Sequence, residues 1–459
     1  MRKPIQVSDS LQELLDVQQS PSLWATFVAH SPRGPFLRPL KQVQTKVLFD
    51  MAAGHYWLVF RGFHALLIAA ALFLFTRALR VRTWPDAAAA VFALTVFTGL
   101  LTFRGLVREA FPINLYLESV LGCLLVLNLA QSRGSVWTDL AAAVTFVIAS
   151  LTVESGVLVW VVVVAAWVCG MRGVTWRGVS AVTLLLVSYL AARFALSIAT
   201  PGLDVGRDSG FGTRMLESAE LARRFGADPT WFYLYNVGTS ILSVLFSDPD
   251  RGVFHTVRTW LQGEFPARLY LPVVTSAITT ALIVCVAVAR WRGRAPMMSA
   301  SNTQLLKIFG AMLIANAIVS YAYTKHEIVS IAGAFYAFAA YVAARQVIEI
   351  GGRMDASSGP EASGDHASAL GRAALCLLHG ALACAWAFRS AGVHHMLQTQ
   401  AFRERVEWAR LDPERIAERG YPSDARARAL TAQLRREALD LRIANTNEVP
   451  AWADDWWGE

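Results

Sequence analysis

The stretch that decides the fold is residues 31–67, SPRGPFLRPLKQVQTKVLFDMAAGHYWLVFRGFHALL. A loop rich in proline and glycine leads to the motif RPL at residues 38–40. The first long apolar segment then begins near Tyr56 and already contains Arg61 and His64. Charged groups at a membrane boundary are costly unless they meet water, phosphate or a partner. The stretch therefore predicts either the wall of a polar site at that boundary, or a shaped loop followed by an Arg61 side chain that reaches the headgroups.

Composition indicates an all-α polytopic membrane protein. The chain has 459 residues, of which 55% are hydrophobic and 17% charged, and its mean hydropathy is +0.40. Soluble domains carry more charge, and apolar runs near the spanning length of about 20 residues recur here. The net charge of +8 is what arginines in cytoplasmic loops produce. Since no basic tract is interleaved with aromatic residues, we expect membrane lipid as a partner and no nucleic acid.

The cysteines predict neither a disulfide framework nor a metal site. All five fall in apolar segments, and no CxxC motif or Cys/His cluster is present. We interpret them as small packing residues. They are Cys123, Cys169, Cys285, Cys376 and Cys384.

The apolar runs predict about ten spans, and the stretches between them divide the chain further. The pair of runs on either side of Glu154 is either two short spans or one broken helix. The predicted spans are residues 56–79, 85–103, 113–130, 138–153, 156–170, 178–198, 269–289, 305–323, 328–348 and 369–389. The predicted units are an outer N-terminal arm (1–55), a transmembrane core (56–198), an extracytoplasmic helical loop (199–268), a second core (269–349), a flexible linker (350–368), the last span (369–389) and a helical C-terminal tail (390–459).

Arginine and lysine in the connecting loops predict the orientation. Alternate loops are rich in arginine, and the positive-inside rule places these in the cytoplasm. The opposite, outer face then holds residues 1–55, the 104–112 loop, Glu154, the 199–268 loop, the 325–327 turn and the tail. An N-terminal arm outside the membrane has to follow a crossing segment. Either the arm stays inside and the number of spans differs by one, or a further transmembrane helix precedes residue 1, which is the alternative we favour. Near the other end of the chain, Trp452, Trp456 and Trp457 fit an interfacial anchor.

Three outer-face groups are candidates for a binding site, and each has a structural alternative. Arg108 and Glu109 precede a new span, either as a pair at a helix start or as the floor of a polar site. Glu154 stands between two apolar runs, so it is either paired with a cation or part of the site. Lys325 and His326 form a cationic turn, which suits a phosphate or is simply solvated.

Three stretches together resemble a known family. They are SDSLQELL at residues 8–15, GPFLRPL at 34–40 and YWLVFRGFHALL at 56–67. This order of an acidic residue, an RPL loop and a helix with an early histidine is similar to the multi-spanning glycosyltransferases of the GT-C fold. That family includes protein O-mannosyltransferases and arabinosyltransferases, which use polyprenyl-phosphate-linked sugars. VREAFPIN, LTVESG and YAYTKHEIVS fall where the family places polar residues at helix ends.

The resemblance implies a function and roles for individual residues. A multi-pass protein of the bacterial inner (plasma) membrane would transfer a sugar from a polyprenyl-phosphate donor to an acceptor outside the cytoplasm. Asp9 would act as general base on the acceptor, as a carboxylate near its ordinary pKa is able to do. No DxD triplet stands near Arg38, so a divalent cation is left open. The residues expected to bind substrate are Arg38, His64, Arg108, Glu109, Glu154, Lys325 and His326.

Other functions remain open at this stage. A lipid-linked polysaccharide polymerase or ligase would use the same kind of carrier. A transporter or flippase would carry out no covalent chemistry, and it would more often show inverted repeats and charges at mid-span. We find no internal repeat, and the polar groups gather at the ends of the predicted spans. A non-catalytic scaffold is the remaining alternative.

Overall fold

The regular secondary structure of the described chain is helical. The computed structural model describes residues 3–30, 37–108, 112–199, 222–223, 226, 228, 230–246, 253–263, 267–293, 298–357, 366–443 and 451–457. Within these residues the regular elements are helices, and no β-strand occurs among them. The predicted all-α class is confirmed.

Helix boundaries follow capping residues in several places. Thr83 accepts a hydrogen bond from the amide of Asp86, and Ser135 accepts one from the amide of Thr138, so each starts a helix. The first part of the chain forms α1 (Asp9–Gln19), α2 (Leu23–His30), α3 (Pro39–Ala52), α4 (Tyr56–Leu79), α5 (Trp84–Gly99), α6 (Leu101–Arg108), α7 (Leu115–Ala130), α8 (Val136–Thr152), a 3-10 turn (Glu154–Val157), α9 (Leu158–Val168) and α10 (Trp176–Ala199). The second part forms α11 (Thr230–Phe246), α12 (Val253–Leu261), α13 (Ala267–Trp291), α14 (Ala300–Val319), α15 (Ser330–Ser357), α16 (His366–Arg410), a 3-10 helix (Pro413–Arg419), α17 (Ala425–Asp440) and α18 (Ala451–Trp457).

Five helices of the described chain are long and apolar enough to span a membrane, and the bent pair α5–α6 would make six. The prediction of about ten spans is not confirmed. Helices α7, α8 and α9 are apolar but have only 16, 17 and 11 residues, whereas a crossing needs about 20. The five spanning segments are Tyr56–Leu79, Leu269–Trp291, Ala300–Val319, Ser330–Ile350 and Cys376–Arg410.

The predicted span at 85–103 is bent by 60° between α5 and α6. Leu100 adopts an extended backbone (φ −66°, ψ 141°), which ends α5 and gives α6 a new direction. A Cβ atom on Gly99 would lie 2.9 Å from both the ring and the carbonyl oxygen of Trp386, so glycine allows α16 to approach closely. Residues 104–108, expected in an outer loop, belong to helix α6 instead.

The arginine-rich turns lie together at one end of the bundle. The Arg80 side chain donates to the carbonyl oxygen of Gln131, and Gln304 Nε2 donates to the carbonyl oxygen of Cys169 at 2.9 Å. Exposed tryptophans stand beside these turns, as is typical of a membrane–water boundary. They are Trp84, Trp137, Trp176 and Trp291.

The N-terminal arm and the C-terminal tail form a second hydrophobic core at the other end. Trp408 Nε1 donates to the carbonyl oxygen of Ile5 at 2.6 Å, and the Tyr421 hydroxyl donates to that of Val7 at 3.0 Å. Phe60, near the start of α4, belongs to this core, whereas the arginine-rich turns follow the end of α4. The buried residues of α1 include the four whose helical spacing predicted its apolar face: Leu11, Leu14, Leu15 and Val17.

Two predicted boundaries differ from the observed helices. α16 runs without a break for 45 residues, so the predicted last span and the start of the tail share one helix. α15 continues to Ser357, into the segment expected as a linker, and residues 358–365 lie outside the described chain.

The long loop at 199–268 contributes α11 and α12, while residues 201–221 are outside the described chain. α11 has 17 residues, in keeping with the prediction of an apolar helix too short to span comfortably. It packs on the turn at residues 320–329. Asn236 Nδ2 donates to the carbonyl oxygen of Tyr321 at 2.8 Å, and the hydroxyls of Ser240 and Thr324 are 2.6 Å apart.

Candidate functional site

Ionisable and polar side chains gather at the end of the bundle opposite the arginine-rich turns. They come from α1, α3, α6, α7, the 3-10 turn after α8 and the turn at residues 320–329. We call them the polar cluster: Glu13, Arg38, Lys41, Gln44, Arg108, Tyr116, Glu118, Glu154, Lys325 and Glu327.

One face of α3 supplies three members of the cluster. The spacing of three residues places Arg38, Lys41 and Gln44 on the same side of the helix. Each of them meets a carboxylate from a different part of the chain. Pro39 at the first helical position fixes where α3 begins and leaves Arg38 as its cap residue. The start of α3 at Pro39 therefore places the donor groups of Arg38, Lys41 and Gln44 along one side of the helix.

Arg38 pairs with Glu154, which is the partner that a carboxylate between two apolar runs requires. Arg38 Nε lies 2.9 Å from Oε2 and 3.0 Å from Oε1, and Nη2 also contacts Oε2. Burial disfavours the charge on Arg38, but the Glu154 carboxylate outweighs it and raises the pKa of the guanidinium above its usual value. Arg38 is therefore held in its charged form.

Glu13 and Lys41 form a second ion pair in the cluster. Burial raises the pKa of Glu13 above its usual value, although the charges of Lys41 and Arg38 oppose that change. The second carboxylate oxygen, Oε2, is buried and makes no hydrogen bond. Glu13 therefore binds a proton more readily than an ordinary glutamate, and its Oε2 is available to accept a hydrogen bond.

Tyr116 links the arm to the 320–329 turn. The ammonium of Lys325 lies 5.5 Å from the centre of the Tyr116 ring, and the same phenol interacts electrostatically with Arg38. Tyr116 thus has one cation over its ring and acts electrostatically on a second, from a distant part of the sequence. Next to it on α7, Glu118 accepts a hydrogen bond from Gln44 Nε2 at 3.0 Å, and its Oε1 is buried without a partner.

Arg108 pairs with Glu327 at 2.8 Å, and the Glu327 side chain is 0% exposed. Burial alone would raise the pKa of Glu327, but the charges of Lys325 and Arg108 outweigh it and lower the pKa below 4.5. A Cβ atom on Gly105 would stand 3.2 Å from the Glu327 side chain, so the glycine gives this carboxylate its place against α6. His326 is also buried, and its charge acts in the same direction on Glu327.

Arg61 and His64 lie beneath the N-terminal segment. Arg61 Nε donates to the carbonyl oxygen of Lys3 at 2.8 Å, and its Nη2 donates to that of Pro4. Arg61 therefore does not reach out to headgroups, because it is buried and holds the arm. His64 is 1% exposed, and neither ring nitrogen makes a hydrogen bond. The Lys3 ammonium donates in turn to the carbonyl oxygen of Arg108, which joins this group to the cluster.

The predicted site residues fall into three groups. The structure brings Arg38, Arg108, Glu154, Lys325 and His326 to one end of the bundle. Two others stand apart from them: Asp9 is exposed at the first residue of α1, one turn before Glu13, and His64 lies under the arm. The last, Glu109, lies outside the described residues.

Sequence reasoning left several members of the cluster out of the candidate site. They are Glu13, Lys41, Gln44, Tyr116, Glu118 and Glu327. The repeated spacing of three polar residues from Arg38 along α3 was a signal that points to the first three. Nothing in the sequence connects Tyr116 or Glu327 with that row, because the contacts depend on how the helices pack.

The described residues contain no group of three or more His, Cys, Asp and Glu side chains arranged to hold a metal ion.

The fold and the site together define a class: a helical protein with five or six helices able to span a membrane and a polar cluster of ion pairs at one end of the bundle. No protein-family model, no curated protein and no solved structure matches the chain.

Proposed function

We propose that the chain is a membrane glycosyltransferase with a GT-C-like fold. It moves a sugar from a polyprenyl-phosphate donor to an acceptor on the extracytoplasmic side of a bacterial inner membrane. The observation that supports this best is that Lys325, over the Tyr116 ring, and Arg38, paired with Glu154, lie at the same end of the bundle beside buried carboxylates. A polyprenyl phosphate is an apolar chain with an anionic head, so an enzyme that uses it needs cations at the level of the headgroups.

The reaction requires a base and a site for the leaving phosphate. The acceptor oxygen attacks the anomeric carbon while the bond from that carbon to the phosphate oxygen breaks. A carboxylate takes the hydroxyl proton, and the lipid phosphate leaves with the bonding electrons. Asp9 is the proposed base, and Lys325 and His326 stabilise the charge that develops on the phosphate. Glu13, one turn further along α1, is a second candidate for the base.

The proposed topology has about ten crossings and a cytoplasmic arginine-rich end. The bent pair α5–α6 and the helices from α7 to α10 would complete the crossings beside the five segments named above. A lipid-linked polysaccharide polymerase or ligase fits the same cluster if the acceptor is itself lipid-linked. A transporter or flippase fits less well, because the ion pairs described above stand at helix ends rather than at mid-span.

The test uses the full chain, purified and placed in lipid nanodiscs with radiolabelled polyprenyl-phosphate sugars and hydroxyl acceptors. Asp9→Asn and Lys325→Gln should each lower transfer about 100-fold, the contribution expected of general base catalysis and charge stabilisation. Asp50→Asn is the matched control, because this exposed carboxylate on α3 pairs with Lys46 outside the cluster.

Three outcomes would count against parts of the proposal. Unchanged transfer by Asp9→Asn would remove Asp9 from the mechanism, and loss in Glu13→Gln alone would assign the base to Glu13. No transfer from any donor in nanodiscs, together with movement of the labelled donor across the bilayer of sealed proteoliposomes, would favour the flippase.

A further inference from the structure

A second polar site lies deeper in the bundle, around Arg389 of α16. This side chain is 1% exposed, and its guanidinium stacks on Trp386 with the carbon centre 3.9 Å from the ring. One nitrogen, Nη1, donates to the hydroxyl oxygens of Thr275 at 2.6 Å and Ser276 at 2.9 Å, and to the carbonyl oxygen of Pro272 at 3.2 Å. The acceptors on α13 therefore form hydrogen bonds with only one guanidinium nitrogen, Nη1.

The other edge of the same guanidinium has no acceptor. Nε and Nη2 of Arg389 are buried and make no hydrogen bond, and no carboxylate of the described residues pairs with this side chain. The Nε–Nη2 edge is the fork that binds two oxygens of an oxyanion side by side. Arg38 binds Glu154 through this same edge. The described residues therefore include one guanidinium whose Nε–Nη2 edge binds a carboxylate, and one, Arg389, whose edge makes no hydrogen bond.

Two neighbouring groups add positive charge and a further donor. Arg104 of α6 lies close enough for its Nη2 to donate to the carbonyl oxygen of Arg389 at 3.3 Å. Trp457 of α18 packs at Gly392, one turn along α16, and its Nε1 is buried without a hydrogen-bond partner. An unpaired buried charge is expensive, which makes a bound anion the natural partner.

We propose that Arg389 is the centre of a phosphate-binding site between α6, α13, α16 and α18. Phosphate has more acceptor oxygens than a carboxylate, which suits a fork from Arg389 together with the indole N–H of Trp457. Pro272, Thr275 and Ser276 lie within the first two turns of the span Leu269–Trp291, so the site is near the depth of lipid headgroups. The phosphate belongs either to a lipid headgroup or to a soluble phosphate, and the site does not depend on glycosyl transfer.

The experiment has two arms that separate these sources. In the first, thermal unfolding of the full chain in neutral detergent is followed while inorganic phosphate replaces chloride at constant ionic strength. In the second, native mass spectrometry counts phosphatidylglycerol retained after transfer from nanodiscs of phosphatidylcholine with and without that lipid. A saturable shift in the first arm identifies a soluble phosphate, and selective retention in the second identifies a lipid headgroup.

The variants test the proposed donors. Arg389→Lys keeps the charge but removes the fork, and should raise the half-saturating phosphate concentration, or lower lipid retention, about tenfold. Trp457→Phe keeps the ring, removes the N–H donor and should weaken binding several-fold. It provides the readout if Arg389→Lys does not fold. Arg82→Lys, an exposed arginine near the start of α5, is the control. The proposal is overturned if the wild type responds in neither arm, or if Arg389→Lys and Trp457→Phe both match the wild type as the control does.

Discussion

The guanidinium of Arg38 faces the carboxylate of Glu154 edge to edge, with Nε 2.9 Å from Oε2 and 3.0 Å from Oε1. The two residues are 116 positions apart in the chain. Their pair ties α3 of the N-terminal arm to the 3-10 turn between α8 and α9. Because both side chains are largely withdrawn from water, losing one partner removes the main compensation for the charge of the other.

We therefore expect Glu154→Gln to lower the free energy of unfolding by about 3 kcal/mol, the cost of breaking a largely buried pair. Arg38→Met should have an effect of similar size. The double variant should recover about 1–3 kcal/mol relative to the sum, because it removes both charges together. Chemical unfolding in detergent measures the free energy of unfolding of all four proteins: the wild type, the two single variants and the double variant. Strict additivity of the two single changes would contradict the pairing.

Glu327 predicts how stability changes in acid. Its pKa is lower in the folded chain than the ordinary value of 4.5, so the folded state favours the carboxylate. The stability that Glu327 contributes is therefore present above pH 4.5 and is lost as the pH falls through the lower, folded value. Unfolding temperatures measured from neutral pH down to about pH 3.5 should fall more steeply in the wild type than in Glu327→Gln.

Two comparisons make that measurement specific to Glu327. Glu414→Gln removes a carboxylate whose side chain is 76% exposed, and it should reproduce the wild-type slope. Glu327→Gln should also lower stability at neutral pH by about 3 kcal/mol, because it breaks the largely buried ion pair with Arg108. Parallel slopes for the wild type and Glu327→Gln would show that this carboxyl group titrates at the same pH in the folded and unfolded chain.

The bend between α5 and α6 gives a prediction about packing. A methyl group on Gly99 would approach the ring and the carbonyl oxygen of Trp386 to 2.9 Å, and that carbonyl belongs to the backbone of α16. Gly99→Ala should therefore destabilise the fold by about 1–3 kcal/mol. Gly62→Ala on α4 meets nothing within 4 Å and should instead stabilise by about 0.5–1 kcal/mol. If the two substitutions give equal unfolding temperatures, the close approach of α16 is wrong.

Some features of this fold were readable from the sequence because they depend on local spacing. The apolar positions of α1 recur at helical intervals and are buried as predicted. The start of α5 follows Thr83, whose side chain and that of Asp86 form a capping box. The number of spans was not readable, because an apolar run shows that a segment is buried without telling lipid from protein as its surroundings. The bend at Leu100 was not readable either, because the helices on its two sides together make one apolar segment.

The candidate site was partly readable for a related reason. Residues at the ends of spans are expected at a boundary, and Arg38, Arg108 and Lys325 do lie at the same end. Which carboxylate meets which cation depends on helix packing over long sequence separations. The pairing of Arg108 with Glu327 joins residues 219 positions apart, and no periodicity encodes it.

A carboxylate from the C-terminal tail caps the first long membrane helix. Glu437 of α17 accepts hydrogen bonds from the amides of Tyr56 at 3.0 Å and Trp57 at 2.8 Å, the first two residues of α4. His55, the preceding cap residue, supplies no side-chain hydrogen bond of its own. Glu437 therefore satisfies amides that the start of a helix leaves without partners, and its charge suits the helix dipole.

Glu437→Ala should lower the free energy of unfolding by about 1 kcal/mol, the usual effect of losing a cap. Hydrogen exchange at the amides of Tyr56 and Trp57 should also accelerate, because they lose their acceptors. Asp440→Ala removes an exposed carboxylate from the same helix and should change neither quantity. Equal exchange rates at these amides in the two variants would mean that water protects them as well as the carboxylate does. Faster exchange confined to Glu437→Ala would show that the tail holds the start of α4, and with it the arm that carries Arg38.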